Sequence, residues 1–104
     1  MNPEIKELSE RLHDLYEQIM ETDPWEEGYG EVVAIHEYLM KVLRDKAQKN
    51  YKDFQKYLKE AAKDIEETWS SNKTHLSKWS NKLKPVFETV ERIISHAVPL
   101  LALL

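Results

Sequence analysis

The stretch IKELSERLHDLYEQI, residues 5–19, decides the fold class of this chain. Asn2 and Pro3, just before it, are typical of the N-cap and the first position of a helix. The repeat within the stretch places apolar side chains along one side of an α-helix, while the opposite side is almost entirely charged. The sequence therefore predicts an amphipathic helix over residues 3–21, with Tyr16 and Met20 widening its apolar side. The repeated apolar residues, three or four positions apart, are Ile5, Leu8, Leu12, Leu15 and Ile19.

Three further segments repeat this helical pattern. Residues 31–48 carry a broad apolar side, and residues 51–69 and 74–98 carry two more. Pro85 is expected to kink the last segment, because proline lacks an N–H and clashes with the preceding turn. The 104 residues include only two glycines and four prolines, too few for a fold that depends on tight turns. We therefore predict an all-α, antiparallel helical bundle of four helices that forms one domain over residues 1–104.

The connection between the second and third segments allows two interpretations. A short turn at residues 48–52 would let the two helices pack against each other. Alternatively, one helix of about forty residues could continue, because helical spacing persists through positions 43, 47, 51, 54, 58, 61 and 65. The turn would give a compact monomer, whereas the continuous helix would give an extended, exchanged dimer.

Charge is distributed unevenly along the chain. Residues 1–31 contain ten acidic and two basic side chains, whereas residues 32–104 contain nine acidic and thirteen basic ones. Either an acidic first helix lies beside basic later helices, or a basic face meets an acidic partner. Nucleic acid is not the expected partner, because the basic residues are almost all lysine and the sequence pI is about 5.6.

The composition also bears on location. The chain contains no cysteine, which excludes disulfides, thiolate metal sites and a cysteine nucleophile. Small secreted domains usually depend on disulfides, and residues 1–21 lack the apolar core of a signal peptide. We therefore predict a cytoplasmic protein. Its apolar segment at residues 93–104 is too short to span a bilayer, but it is compatible with contact at a membrane surface.

No arrangement of residues in the sequence indicates an active site. A di-iron bundle needs two Glu-x-x-His motifs, and the only one runs from Glu10 to His13. A nucleophile elbow and a glycine-rich phosphate loop are both missing. His36 and Met40 fall on the apolar side of the second helix, where a lone histidine is either a hydrogen-bonded core residue or a ligand-binding or catalytic group. We predict no catalytic residue, cofactor or metal ion, and we retain His36 as a candidate pocket residue.

Two segments are candidates for partner binding. Residues 22–30 form a loop with two large aromatic residues, Trp25 and Tyr29, which fold as a lid over the bundle end or form an exposed epitope. The chain ends in a leucine-rich tail, although termini are usually polar. The tail packs into the bundle, meets a partner or membrane surface, or belongs to an apolar segment of a longer protein. Its candidate contact residues are Val98, Leu100, Leu101, Leu103 and Leu104.

The last third of the chain carries a pattern of aromatic, apolar and proline residues. The pattern is Trp69, His75-Leu76, Trp79, Leu83-Lys84-Pro85-Val86-Phe87, Val90 and Ile93, followed by Pro99 and the leucine tail. It resembles the amino-terminal helical domains of fungal NLR-like (STAND) receptors. The resemblance implies a signalling or adaptor domain that acts through helix–helix contacts and without catalysis.

These observations favour a non-catalytic protein–protein interaction module, such as a signalling or adaptor domain of a larger protein. Its partner would be another protein or a second copy of the chain, bound through apolar surface. The alternative is an engineered helical scaffold, with any ligand-binding or catalytic site in a bundle pocket near His36.

Overall fold

The structure is a computed structural model that describes residues 2–47, 50–70, 73–95 and 98–104, with the backbone alone at residues 73 and 74. Over these ranges the chain forms four α-helices: α1 (Pro3–Glu21), α2 (Tyr29–Lys46), α3 (Tyr51–Trp69) and α4 (Ser80–Ile93). Two 3₁₀ helices, Lys73–Trp79 and Leu100–Leu103, precede and follow α4. The described residues form no strand, and the predicted all-α class is confirmed.

The start of α1 follows from its capping residues. The side chain of Asn2 accepts a hydrogen bond of 2.8 Å from the backbone N–H of Glu4, and Pro3 lies in the first turn. This cap satisfies an amide that has no partner within the helix. The five apolar residues that repeat in the opening stretch are all buried, and α1 has the predicted bounds.

The chain turns between α2 and α3. α2 ends at Lys46, and Asn50 is extended, with φ −117° and ψ 130°, which excludes a continuous helix. The side chain of Asn50 accepts a hydrogen bond of 2.8 Å from the N–H of Lys52 and caps α3. The long-helix alternative is therefore wrong, although residues 48 and 49, part of the predicted turn, lie outside the described residues. The radius of gyration, 12.9 Å, is that of a compact chain of this length.

The fourth helical segment starts later than predicted. Instead of one helix over residues 74–98, a 3₁₀ helix runs to Trp79 and α4 follows it. Serine, threonine and asparagine compete with a helix by bonding to nearby backbone groups, and the hydroxyl of Ser80 donates to the carbonyl of Ser77 at 3.0 Å where α4 begins. Pro85 lies in the second turn of α4, where its missing N–H removes one backbone hydrogen bond. The hydroxyl of Thr89 donates to the carbonyl of Pro85 at 2.9 Å.

The fourth segment also ends earlier than predicted. α4 stops at Ile93, and Ser95 adopts a positive φ of 61°, which directs the chain out of the helix. Residues 96 and 97, the next part of the predicted helix, lie outside the described residues. Beyond them, Val98 and Pro99 lead into the second 3₁₀ helix, which returns to the bundle.

Contacts at helix ends show that α4 runs antiparallel to α1 and α3. The guanidinium of Arg92, late in α4, donates hydrogen bonds of 2.8 and 2.9 Å to the carboxylate of Glu7, early in α1. The side-chain amide of Gln55, early in α3, donates to the carbonyl of Ile93 at 2.8 Å. The Arg92 guanidinium holds the pKa of the Glu7 carboxyl below its usual value.

One hydrophobic core joins the four helices and the C-terminal tail. Leu100 is fully buried and packs where the second 3₁₀ helix meets α3 and α4. Leu103 and Val98 are buried as well, whereas Leu101 and Leu104 are partly buried. Of the three explanations for the apolar tail, the structure supports packing into the bundle.

We predict that Leu100→Ala lowers the free energy of unfolding by about 2–5 kcal/mol, because it leaves a cavity in the core. Met20→Ala is the matched control, since Met20 is 66% exposed, and it should change this free energy by less than about 0.5 kcal/mol. Urea unfolding followed by circular dichroism measures both values. Equal effects would show that the tail is not part of the core.

Candidate protein-binding surface

Trp25 is the most exposed large hydrophobic residue among the described residues, with 80% of its surface accessible. It lies in the loop of residues 22–28, between α1 and α2. The lid interpretation is therefore wrong for Trp25, which covers no part of the core. Tyr29 instead begins α2 and is partly buried, with its ring centroid 6.4 Å from that of Trp79. The two aromatic residues predicted as a pair thus differ, one facing solvent and one packing inward.

The loop that carries Trp25 is attached to the segment before α4. The carboxylate of Glu26 lies 2.8 Å from the ammonium of Lys78. The indole N–H of Trp79, a buried residue, donates to the carbonyl of Glu27 at 3.3 Å. The residues on the C-terminal side of Trp25 are therefore bonded to a distant part of the chain.

His75 makes further contacts with the same region. Its Nε2 lies 3.4 Å from a carboxylate oxygen of Glu27, and its Nδ1 lies 3.6 Å from one of Glu31. Glu31 belongs to the first turn of α2. The loop and the start of α2 are thus both attached to the first 3₁₀ helix.

Gly28 permits this close approach of the loop to the 3₁₀ helix. It is buried and has a φ of +84°, in the left-handed region that strains other residues. A Cβ atom there would lie 2.2 Å from the carbonyl oxygen of His75 and 3.2 Å from Nε1 of Trp79. Only glycine fits without moving the backbone.

We predict that Gly28→Ala destabilises the protein by at least about 2 kcal/mol, through strain at positive φ and collision with His75. Gly30→Ala is the matched control, because a Cβ at Gly30 meets nothing within 4 Å. In a helix this change should stabilise by about 0.5 kcal/mol. Chemical denaturation of the two variants gives both numbers, and equal stabilities would contradict the proposed packing of the loop.

A surface of uncharged and apolar residues lies between α1 and α2, and we call it the α1–α2 stripe. Tyr16, Met20 and Met40 are 44%, 66% and 36% exposed, although the helical pattern assigned them to apolar sides. Tyr16 and Met40, with three other residues, line a shallow depression of about 320 Å³. The depression is lined by Ser9, His13 and Tyr16 from α1 and by His36 and Met40 from α2. We include Met20 in the stripe because helical spacing puts it on the same side of α1, four residues after Tyr16.

His36 lies half-buried in this stripe. Its ring centroid is 5.5 Å from that of Tyr16. Burial lowers the pKa of the imidazole, while the nearby backbone of Leu12 and the charge of Glu37 oppose this shift. The depression is open and shallow, so a catalytic or ligand-binding role for His36 in an engineered scaffold stays a prediction.

The lowered pKa of His36 predicts a pH dependence of stability. Since the folded state disfavours the imidazolium, stability should fall as the pH drops below 6.5, the ordinary pKa of histidine. We expect His36→Leu to lose less stability between pH 7 and pH 5 than the unmodified protein does. Denaturation at both pH values tests this, and equal losses in the two proteins would contradict the inferred burial.

The tail residues predicted for partner binding are not available in this conformation. Val98, Leu100 and Leu103 are buried, and Leu101 and Leu104 pack against the core. Their periodicity could not show this, because it leaves open whether a partner or the chain itself covers an apolar segment.

Acidic residues of α1 face basic residues of the first 3₁₀ helix and of α4. Asp14, Glu17 and Glu21 line a groove together with Lys78, from the 3₁₀ helix, and Lys82, from α4. This arrangement agrees with the interpretation that the acidic first helix lies beside basic later segments.

A separate basic surface lies on α3. Its lysines are all exposed and fall on one side of the helix, because they are four, three and four positions apart. This row of lysines on α3 extends over about 16 Å, the length of eleven helical residues. Contact with a membrane surface and the exclusion of nucleic acid both stay predictions. The four residues are Lys52, Lys56, Lys59 and Lys63.

Two further features, a metal site and a membrane-spanning helix, can be assessed for the described part of the chain. Within it, no three histidine, aspartate or glutamate side chains are grouped so as to hold a metal ion. None of the described helices combines the length and apolar character needed to cross a membrane.

The chain matches no protein-family model, no curated protein and no solved structure. The resemblance to fungal NLR-like receptor domains therefore stays a prediction.

Proposed function

We propose that this chain is a non-catalytic protein–protein interaction module whose binding surface is centred on Trp25. The observation that carries this proposal is the exposure of Trp25, 80%, on a loop held by contacts to Lys78 and Trp79. Tryptophan is enriched among the residues that dominate binding energy at protein interfaces. Because contacts already hold the loop, little conformational entropy is lost when a partner binds Trp25.

The energetics of Trp25 support this proposal. A tryptophan side chain buries about 150–250 Å² when covered, and at about 25 cal/mol per Å² this corresponds to about 4–6 kcal/mol. Trp25 contributes little of this to folding, because it faces solvent. A partner that covers the ring could therefore gain most of that free energy.

The α1–α2 stripe extends the proposed surface. Met20 is in the last turn of α1, five residues before Trp25, and is itself largely exposed. Methionine side chains adapt to partners of different shape. A signalling or adaptor role, the kind of function that the receptor-domain resemblance implies, is included in the proposal as its more specific form.

We predict that Trp25→Ala removes partner binding but changes the free energy of unfolding by less than about 0.5 kcal/mol. Tyr57→Ala, a half-exposed aromatic residue on α3, is the matched control and should keep the partner. The measurement is quantitative mass spectrometry of proteins retained from native cell extract by the three immobilised proteins. If nothing retained by the unmodified protein and by Tyr57→Ala were lost with Trp25→Ala, the proposal would be wrong.

A further inference from the structure

The α1–α2 stripe has the length and shape to receive a helix. α1 and α2 run antiparallel along it, because the ring of Tyr16 packs against that of His36 while Ser9, earlier in α1, shares the depression with Met40, later in α2. From Ser9 to Met20 the stripe extends over about 16 Å, or three helical turns. The groove between two packed helices is a common seat for a third helix, whose apolar side chains fill it.

The residues of the stripe suit an apolar occupant. The depression is lined by serine, histidine, tyrosine and methionine side chains, with no lysine, arginine or carboxylate among its described lining residues. Charged residues make up 33% of the chain, so an uncharged strip of this length is unusual on its surface. Met20 and Met40 add flexible apolar groups that adjust to a partner.

The charges beside the stripe select the kind of occupant. Glu10, Glu17 and Glu37 are exposed next to it, and Glu17 lies 3.6 Å from His13. The exposed cations Lys6 and Arg44 lie toward the end of the stripe away from Trp25, and Arg44 contacts its neighbouring aspartate. Carboxylates therefore flank the length of the stripe, whereas Lys6 and Arg44 lie at one end of it.

The acidity of this half of the molecule disfavours two other occupants. Residues 1–46 contain twelve acidic and five basic side chains. A second copy docked on the same face would oppose carboxylates with carboxylates, and an anionic lipid surface would be repelled. A cationic occupant gains attraction in the same place.

We propose that the α1–α2 stripe binds one amphipathic helix of a partner protein, apolar on the side it presents and lined by lysine or arginine. Its apolar residues contact Tyr16, Met20 and Met40, and its cations lie beside Glu10, Glu17 and Glu37. This inference rests on the proposed interaction function and adds to it the chemistry of the partner.

Two synthetic peptides test the proposal: fluorescein-labelled LKKLLKLLKKLLKL and its matched counterpart LEELLELLEELLEL. Fluorescence anisotropy at low salt should show binding of the lysine peptide and no binding of the glutamate peptide. Met20→Ala combined with Met40→Ala should weaken binding at least about tenfold, since both residues are exposed and the fold is retained. Equal binding of the two peptides, or an unchanged affinity of the double variant, would overturn the proposal.

A pair of charge variants separates local from overall charge. Replacing Glu10, Glu17 and Glu37 by glutamine should weaken binding of the lysine peptide about tenfold, because three exposed ion pairs are lost. The control replaces three exposed acids of α3 and α4, Asp53→Asn, Glu67→Gln and Glu88→Gln, and removes the same net charge from other surfaces. The control should change the affinity by no more than about twofold. Equal losses would show that only net charge attracts the peptide, against the proposal.

The alternative occupants give distinct results. Sedimentation should find a monomer, and a dimer that dissociates in the Met20→Ala/Met40→Ala variant would assign the stripe to a second copy. Binding to phosphatidylserine vesicles that this variant loses would assign it to a membrane. If partners whose binding depends on Trp25 still bind the Met20→Ala/Met40→Ala variant, the helix proposal fails while the interaction function stands. If no partner depends on Trp25, the interaction function itself fails.

Discussion

Burial of the Trp79 indole at one end of the bundle fixes the geometry on which the proposed binding surface depends. Trp79 ends the first 3₁₀ helix, bonds to the carbonyl of Glu27 and packs near Tyr29 at the start of α2. This single side chain thus connects the segment before α4 to the loop between α1 and α2. Gly28 is required beside it, because any larger residue would collide with the chain at His75.

The placement of apolar residues separates those that stabilise the fold from those that do not. The core takes the main apolar series of every helix and the leucine tail, which together give a chain of this size its stability. Trp25 and Met20 contribute little to this core, because most of their surface is exposed. Exposed apolar residues are common singly, but here they adjoin an uncharged strip beside a tethered loop. A binding surface requires exposed apolar residues on a held loop, whereas the stability of the fold does not depend on them.

Much of the fold could be predicted from the sequence, because the apolar repeat and the caps are local signals. Asn2 and Pro3 determine the start of α1, and Asn50 determines the start of α3. The predicted start of the fourth helix, at residue 74, was wrong because a periodic pattern does not distinguish a 3₁₀ helix from the first turns of an α-helix. The exposure of Trp25 could not be predicted either, since it depends on which segments the loop meets in the folded chain.

The central claim is that the loop of residues 22–28 holds a fixed position and presents Trp25 to solvent. Backbone ¹⁵N relaxation in solution tests this directly, residue by residue. If the contacts through Glu26, Glu27 and Gly28 hold the loop, its order parameters should match those of the helices, at about 0.85. Values below about 0.6 across the loop would show that it moves freely, and would contradict a preformed binding surface.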